Sequence, residues 1–337
     1  MISDRERNSS SDRMVYMKKI NGKILCRRIL FTIALPAIVY LVLGILRPDI
    51  YFKGSTFVML FTQSISYTVI GWAMVFGMSV GLFDFSVGSR IILAGLFGIH
   101  MSQYMGLFGF VAGTLAASLL MAAFTGGVYA LFKIPSIITG FAALLIFESL
   151  ATIYQKQFSV VVSDSIKVLG ISPGIYIVGI VTFVAVYVIF NNTKFGYQIK
   201  AIGGNEGIAK SMGINSVKLK VMTYIVGGLF LAVASMIKVG NTGTMIGVTS
   251  MQSMQQCFTP MMGVMIGLYL TSCNPVVGVF IGEFAITIVS SGLVALGIES
   301  RLQNVVVGIF LLVFIGMKTN ADSLHLKERF SKKKAFG

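Results

Sequence analysis

Long apolar segments, separated by shorter polar ones, make up most of the chain. A helix that spans a bilayer needs about 20 apolar residues, and ten segments approach that length. The pattern predicts an all-α, polytopic integral membrane protein with about ten transmembrane helices. The predicted spans are residues 29–46, 57–80, 90–105, 106–132, 134–155, 173–190, 221–238, 257–271, 276–296 and 303–317.

Composition and charge agree with this class. Hydrophobic residues make up 55% of the 337 residues and charged residues only 12%, about half the share in a soluble domain. The net charge of +15 could indicate a nucleic-acid partner, but the basic residues concentrate in regions 1–28, 191–220 and 318–337. This distribution is typical of the positive-inside rule, so we expect no nucleic-acid partner.

Loop charge also tests the number of spans. If the N-terminus is cytoplasmic, six spans return the chain to the cytoplasm at loop 191–220, and four more place the C-terminus there. The prediction is therefore a basic cytoplasmic tail (1–28), a transmembrane domain (29–317) and a second basic cytoplasmic tail (318–337). The apolar run 29–46 is too long for a signal-peptide core, so we expect an uncleaved anchor.

Catalytic signatures are missing from the sequence. The three cysteines, Cys26, Cys257 and Cys273, lack metal-ligand spacing. Neither a phosphate loop of the GxxxxGK[ST] type nor an HExxH motif occurs. We therefore predict no metal, no cofactor and no catalytic residue in this chain, and a membrane-embedded enzyme is disfavoured.

Ionisable residues inside the predicted spans are few. Glu148 and Glu283 lie within spans, Asp84 follows the second span and Lys238 ends the seventh. Such residues either line a pathway or act as structural hydrogen-bond partners. Arg90 follows Asp84 by six residues, so an ion pair between them is possible. The GxxxG pattern at 278–282 predicts close packing within the chain, with a dimer contact as the alternative.

Loop 191–220 is the longest polar stretch away from the termini. Asn205 is a good helix N-cap, and Glu206 suits the positive end of the helix dipole. A short helix from Glu206 to Met212 is predicted, with Ile208, Ala209 and Met212 as a small apolar face and Gly213 as its stop. Such a helix is marginal alone, so it rests either on this chain or on a partner.

Three motifs carry a family resemblance. Ala201-Ile-Gly-Gly-Asn-Glu206, followed by Ala209 and Gly213-Ile-Asn215, closely resembles the cytoplasmic loop of the ribose-type ABC transporter permeases. Gly81-Leu-Phe-Asp-Phe-Ser-Val-Gly88 resembles a second signature of that family, and Gln303-Asn-Val-Val-Val-Gly308 a third, weaker one. Together they cover about residues 55–317 in the family's order.

The resemblance implies an importer subunit in the bacterial inner membrane. Two permease chains, identical or related, would pair with two cytoplasmic ABC ATPase domains that bind ATP and magnesium. An extracytoplasmic solute-binding protein would deliver a monosaccharide resembling ribose, galactose or xylose. By the family's motif, the residues that couple to the ATPase are Gly203, Gly204, Asn205, Glu206, Ala209, Gly213 and Ile214.

The region 252–275 departs from the family pattern. Gln255 stands where the family has an acidic residue, and Pro260 and Pro275 are additional. Sugars need hydrogen-bonding side chains, which makes a set of polar residues candidates for the translocation pathway, with Asn241, Thr242 and Thr244 near its outer mouth. The pathway candidates are Asp84, Ser86, Gly88, Gln252, Gln255 and Gln256.

Other transport functions remain open at this point. A permease of the same superfamily could carry nucleosides, a furanose signal or branched-chain amino acids. An ion-coupled secondary carrier would need no ATPase, but it calls for paired intramembrane acids and an internal repeat. The sequence has only isolated acids and no clear repeat.

Overall fold

The computed structural model describes residues 34, 36–158, 162–270, 273–299, 302, 305, 306, 308, 309 and 312. Across them the chain is helical and contains no strand, as predicted. The helices are α1 (Pro36–Leu46), α2 (Pro48–Tyr51), α3 (Gly54–Met78), α4 (Val87–Phe132), α5 (Ser136–Gln157), α6 (Asp164–Lys167), α7 (Gly174–Asn192), α8 (Lys194–Gly204), α9 (Glu206–Ser211), α10 (Ser216–Thr242), α11 (Gln255–Tyr269) and α12 (Pro275–Ala295).

Six of the described helices are long and apolar enough to cross a bilayer, which identifies a multi-pass membrane protein. They are α3, α4, α5, α7, α10 and α12. Helix α1 covers only part of predicted span 29–46, and α11 has only 15 residues. The predicted tails 1–28 and 318–337, and most of span 303–317, lie outside the described residues. The total of ten spans and the cytoplasmic location of both termini therefore stay predictions.

Helix α4 is two spans joined by a sharp bend. A straight helix of 46 residues would be about 69 Å long, more than twice the hydrocarbon thickness of about 30 Å. Met105 and Gly106 have non-helical dihedral angles, and Gly106 has φ +57°. A Cβ atom on Gly98 would lie 2.0 Å from Thr114 Oγ1, so the two arms fold back on each other. This agrees with the predicted division into 90–105 and 106–132.

Glycines bring α11 and α12 into close contact. A Cβ atom on Gly267 would lie 2.4 Å from Val279 N, and one on Gly282 would lie 2.4 Å from Gly263 O. A Cβ atom on Gly278 would likewise lie 2.7 Å from Gly267 O. Small residues permit this approach of two helix backbones in lipid. The GxxxG pattern at 278–282 therefore packs within the chain, the first of the two predicted alternatives.

Contacts between loops define two ends of the bundle. Asn274 Nδ2 donates to Asn191 Oδ1 over 2.7 Å, and Gly203 lies against Ser79 O. The end of α3 and the start of α12 therefore share one end with residues 191–215, which we call the loop end. At the opposite end, Gly170 packs against Asn241 N. Helices α3 and α11 consequently run towards the loop end, and α5 and α10 run away from it.

Two helix assignments in the loop region need correction. Helix α10 begins at Ser216 and ends at Thr242, whereas hydropathy predicted only 221–238, because polar ends extend a helix beyond its apolar part. The prediction also missed α8, whose Ile199 and Ile202 are buried one turn apart. This amphipathic spacing could have identified it.

Candidate functional site

The chain between α10 and α11 re-enters the middle of the bundle without regular structure. Residues 243–251 are irregular and are followed by a 3₁₀ turn, Gln252–Met254. We call this the 243–254 segment. Irregular backbone at membrane depth must find hydrogen-bond partners inside the protein. These partners come from one face of α5.

Glu148 supplies two of these contacts. Its Oε2 accepts a hydrogen bond from Met251 N (2.9 Å), and its Oε1 accepts one from Ser253 N (2.7 Å). Gln155 Oε1 accepts from Gly247 N over 2.6 Å. Ser250 and Met251 have φ of +60° and +63°, a conformation that costs about 1–2 kcal/mol per residue. Glu148 therefore holds a strained turn near the middle of α5, which is a structural role.

A second irregular stretch, residues 79–86, separates α3 from α4. Gly81 has φ +76°, which explains the glycine that opens the 81–88 motif. Asp84 Oδ1 accepts hydrogen bonds from Ser86 N (2.9 Å) and Ser86 Oγ (2.6 Å). Asp84 Oδ2 forms an ion pair with Arg90 Nη1 over 3.0 Å, and Arg90 is almost fully buried. The ion pair suggested by the sequence is therefore present.

The two irregular stretches meet beside Gly88, in the first turn of α4. Its N–H donates to Cys257 Sγ over 3.2 Å, and Cys257 Sγ in turn donates to Phe85 O over 3.4 Å. A Cβ atom on Gly88 would lie 2.0 Å from Ser253 O, so only glycine fits there. Residues 84–88 and 252–257, which contain all six pathway candidates, thus come together in the fold.

The six pathway candidates differ in exposure. Ser86 and Gly88 are buried, and Asp84 is bound by Arg90 and Ser86. Gln256 is half-buried and accepts a hydrogen bond from Lys238 Nζ. Gln252 and Gln255 are exposed on the surface of the chain. Sequence reasoning missed the roles of Ser253 and Cys257, because their partners are more than 100 residues away.

Helix α9 has the predicted cap and charge. Asn205 Oδ1 accepts from Ile208 N over 3.1 Å, which confirms Asn205 as the N-cap. Glu206 Oε1 pairs with Lys210 and Oε2 with Lys220, each over 3.0 Å. The hydrogen bond from Lys210, and to a smaller extent that from Lys220, lowers the pKa of Glu206 to about 2. The pair with Lys220 links α9 to α10.

The predicted apolar face of α9 is divided between two directions. Ala209 is 2% exposed and packs into the chain, whereas Ile208 and Met212 are 60% and 75% exposed. Gly213, with φ +86°, ends the helix, and Ile214 N donates to Ala209 O over 3.1 Å. The helix therefore rests on its own chain through Ala209 and presents two apolar side chains outward.

Two adjacent glycines before α9 have different surroundings. A Cβ atom on Gly203 would lie 2.2 Å from Ser79 O, whereas one on Gly204 would meet nothing within 4 Å. Gly203 thereby brings α8 against the end of α3, where the 79–86 stretch begins. A predicted coupling residue, Gly203, thus contacts the backbone of the 79–86 stretch, which contains the pathway candidates Asp84 and Ser86.

Comparison with known proteins agrees with the motifs. The family model described as "Branched-chain amino acid transport system / permease component" matches residues 56–315. The ribose import permease protein RbsC of Escherichia coli K12 is 25% identical over 255 residues, covering 69% of this chain and 75% of that protein.

Two relatives from Haemophilus influenzae show the same similarity. Its ribose import permease RbsC is 25% identical over 288 residues, covering 81% of this chain and 88% of the relative. Its galactose/methyl galactoside import permease MglC is 27% identical over 150 residues, covering 44% of this chain and 42% of the relative. No solved structure matches the chain.

Proposed function

Because this chain belongs to the permease family of ribose-type ABC transporters, we propose that it forms the translocation pathway of a monosaccharide importer. A second permease chain, identical or related, completes the pathway. An extracytoplasmic binding protein delivers the sugar, and a separate pair of ABC ATPase domains, which bind ATP and magnesium, drives transport. The importer lies in the bacterial inner membrane.

The exposed polar surface formed by Gln252 and Gln255, halfway along the bundle, carries this proposal. Gln252 and Gln255 are exposed at the depth of Glu148, next to irregular backbone. Lipid cannot satisfy such groups, which in membrane proteins border protein or a water-filled cavity. Amide side chains donate and accept hydrogen bonds, as sugar hydroxyl groups require. We infer that this surface faces the pathway between two permease chains.

Helix α9 is proposed as the contact with the ATPase. Its outward side chains, Ile208 and Met212, are apolar and lie four residues apart on one face. The acid in this helix, Glu206, is already neutralised by Lys210 and Lys220. The helix therefore suits an apolar groove on a partner better than a basic one.

The proposed orientation follows from charge. Loop 191–220 and both terminal tails are basic, so the loop end is assigned to the cytoplasm by the positive-inside rule. In this orientation α9 meets the ATPase, and the end that contains Gly170 and Asn241 meets the binding protein. Asn241, Thr242 and Thr244 then lie near the outer mouth.

Uptake measurements test the coupling role. Ile208→Glu and Met212→Glu leave Ala209 and the cap of α9 in place but add charge to the exposed apolar pair. We expect them to abolish ATP-dependent uptake of labelled ribose or galactose, with unchanged membrane insertion. Ile208→Leu and Met212→Leu are matched controls that should transport normally. Wild-type uptake by the two glutamate variants would contradict the coupling role of α9.

Competition identifies the solute class. The family description names branched-chain amino acid transport, whereas the similar proteins named above import ribose or galactose. Unlabelled ribose should reduce the uptake of labelled ribose, and leucine or a nucleoside should not. If the chain instead takes up labelled leucine and no labelled ribose, the amino-acid alternative replaces the sugar. Uptake that continues without ATP would instead indicate an ion-coupled carrier.

A further inference from the structure

Helix α3 has two faces of opposite character. Phe61, Ile65, Thr68 and Trp72 line an apolar groove of about 480 Å³ between α3, α7 and α12. At 100° per residue, Gln63 and Tyr67 lie on the other side of the helix. Both are exposed, Tyr67 to 38%. The two faces therefore meet different surroundings.

The groove face needs no polar partner. Thr68 Oγ1 donates to Ser64 O over 2.6 Å, and Trp72 Nε1 donates to Val276 O over 2.8 Å. Tyr176 OH and Thr62 Oγ1 form a hydrogen bond of 2.8 Å with each other. Every polar side chain that lines the groove is thus satisfied within the chain. This face suits hydrocarbon.

The opposite face has unsatisfied polar groups. Within the described part of the chain, neither Gln63 nor Tyr67 forms a side-chain hydrogen bond. One turn further along this face is Gly71, where a Cβ atom would lie 2.7 Å from Glu283 Oε1. Glu283 is completely buried, and neither of its oxygens has a hydrogen-bond partner among the described residues. Lipid on this side would leave the exposed Gln63 and Tyr67 side chains without a partner, whereas Glu283 is enclosed within the chain.

The same face lies at the depth of the polar surface on α11. Gly71 of α3 packs beside Val264 of α11, and Glu283 contacts both Gly71 and Gly263. Helices α3 and α11 run in the same direction, towards the loop end. Gln63 precedes Gly71 by eight residues, and Gln255 precedes Gly263 by eight residues. At 1.5 Å per residue, each amide lies about 12 Å along its helix from the contact with Glu283. The two amides are therefore at equal depth.

We propose that Gln63 and Tyr67 line the translocation pathway beside Gln255 and bind the hydroxyl groups of the transported solute. This inference rests on the proposed function and adds two residues that no motif indicated. An amide and a phenol both donate and accept hydrogen bonds, and neither carries charge at neutral pH. The site therefore suits a neutral polyhydroxylated solute.

Cysteine labelling tests the aqueous location without any assumption about the solute. In a chain with Cys26→Ser and Cys273→Ser, the variants Gln63→Cys and Tyr67→Cys should react with a membrane-impermeant methanethiosulfonate. Cys257 stays in place because it is completely buried. Ile180→Cys is the matched control, since Ile180 is 65% exposed beside the apolar groove. Labelling of Gln63→Cys and Tyr67→Cys no faster than Ile180→Cys would overturn the proposal, because it would mean that lipid or another chain covers this face.

Transport kinetics test the binding role. Tyr67→Phe and Gln63→Leu each remove neutral hydrogen bonds, so the KM for uptake should rise about 3- to 10-fold with unchanged insertion. Tyr187→Phe is the control, because Tyr187 is equally exposed (39%) but lies on α7. An unchanged KM in Tyr67→Phe and Gln63→Leu would refute solute binding. Failure of the wild-type chain to import any sugar would instead refute the proposed function, while the labelling result would still hold.

Discussion

Replacing Glu148 should open the 243–254 segment. The Glu148 carboxylate accepts hydrogen bonds from Met251 N and Ser253 N, over 2.9 Å and 2.7 Å, and is 3% exposed. Glu148→Ala leaves the buried Ser253 N–H and the partly buried Met251 N–H without this partner, at about 1–3 kcal/mol each. The segment should therefore lose about 2–6 kcal/mol of local stability. Glu148→Gln keeps one acceptor oxygen and should lose about half as much.

Alkylation of Cys257 reports this opening. Cys257 is completely buried and lies four residues after Ser253, so N-ethylmaleimide reaches it only when the segment opens. In the Cys26→Ser, Cys273→Ser background, a loss of 2 kcal/mol corresponds to an increase in rate of about 30-fold. We expect at least this increase for Glu148→Ala and a smaller one for Glu148→Gln.

Thr152→Val is the matched control for this experiment. Thr152 lies one turn along the same face of α5, and its hydroxyl group lies 3.0 Å from Glu148 O and 3.3 Å from Val248 O. A single hydroxyl proton is shared between these two acceptors, so valine should change the rate less than about fivefold. If Glu148→Ala reacts at the wild-type rate, or Thr152→Val reacts equally fast, Glu148 does not hold the segment.

Two further predictions concern glycines and pH. Gly88→Ala and Gly203→Ala should lower the thermal unfolding temperature in detergent, because the new Cβ would lie 2.0 Å and 2.2 Å from backbone oxygens; Gly127→Ala and Gly204→Ala, with nothing within 4 Å, should not. Equal effects in both pairs would disprove the close approach. The Glu206 pKa falls from 4.5 to about 2, so its ion pairs should protect α9 fully above about pH 4.5 and progressively less as pH falls towards 2. Hydrogen exchange of residues 206–211, corrected for its intrinsic pH dependence, should show this loss in the wild type but not in Glu206→Gln; identical profiles would rule out the ion pairs.

Local features were predicted well from local sequence. Apolar length identified α3, α5, α7 and α12, because a helix in lipid satisfies its own backbone and needs only enough apolar residues. The N-cap at Asn205 and the stop at Gly213 were also predicted correctly, since capping depends on neighbouring residues. Amphipathic α8 was missed because its short apolar face lies within a polar, glycine-containing stretch.

Intramembrane polar residues required the tertiary structure. The sequence identified Glu148 and Glu283 equally, as acids within apolar spans. In the fold, Glu148 holds a turn 103–105 residues away, whereas Glu283 lies between two glycines and has no hydrogen-bond partner among the described residues. Burial and partners decide such roles, and both depend on residues distant in sequence.

Hydropathy and charge distribution, by themselves, determined that this protein is a helical multi-pass membrane protein, and the resemblance of its motifs identified the permease family. These are properties of short segments. The apolar length of a segment determines whether it can span the bilayer, and the basic charge of a loop determines the side of the membrane on which it lies. Only the tertiary structure brought residues 84–88 against 252–257, divided α9 between Ala209 and its outward side chains, and gave α3 one apolar and one polar face. Sequence periodicity shows that a helix has two sides, but packing against other helices decides what each side meets.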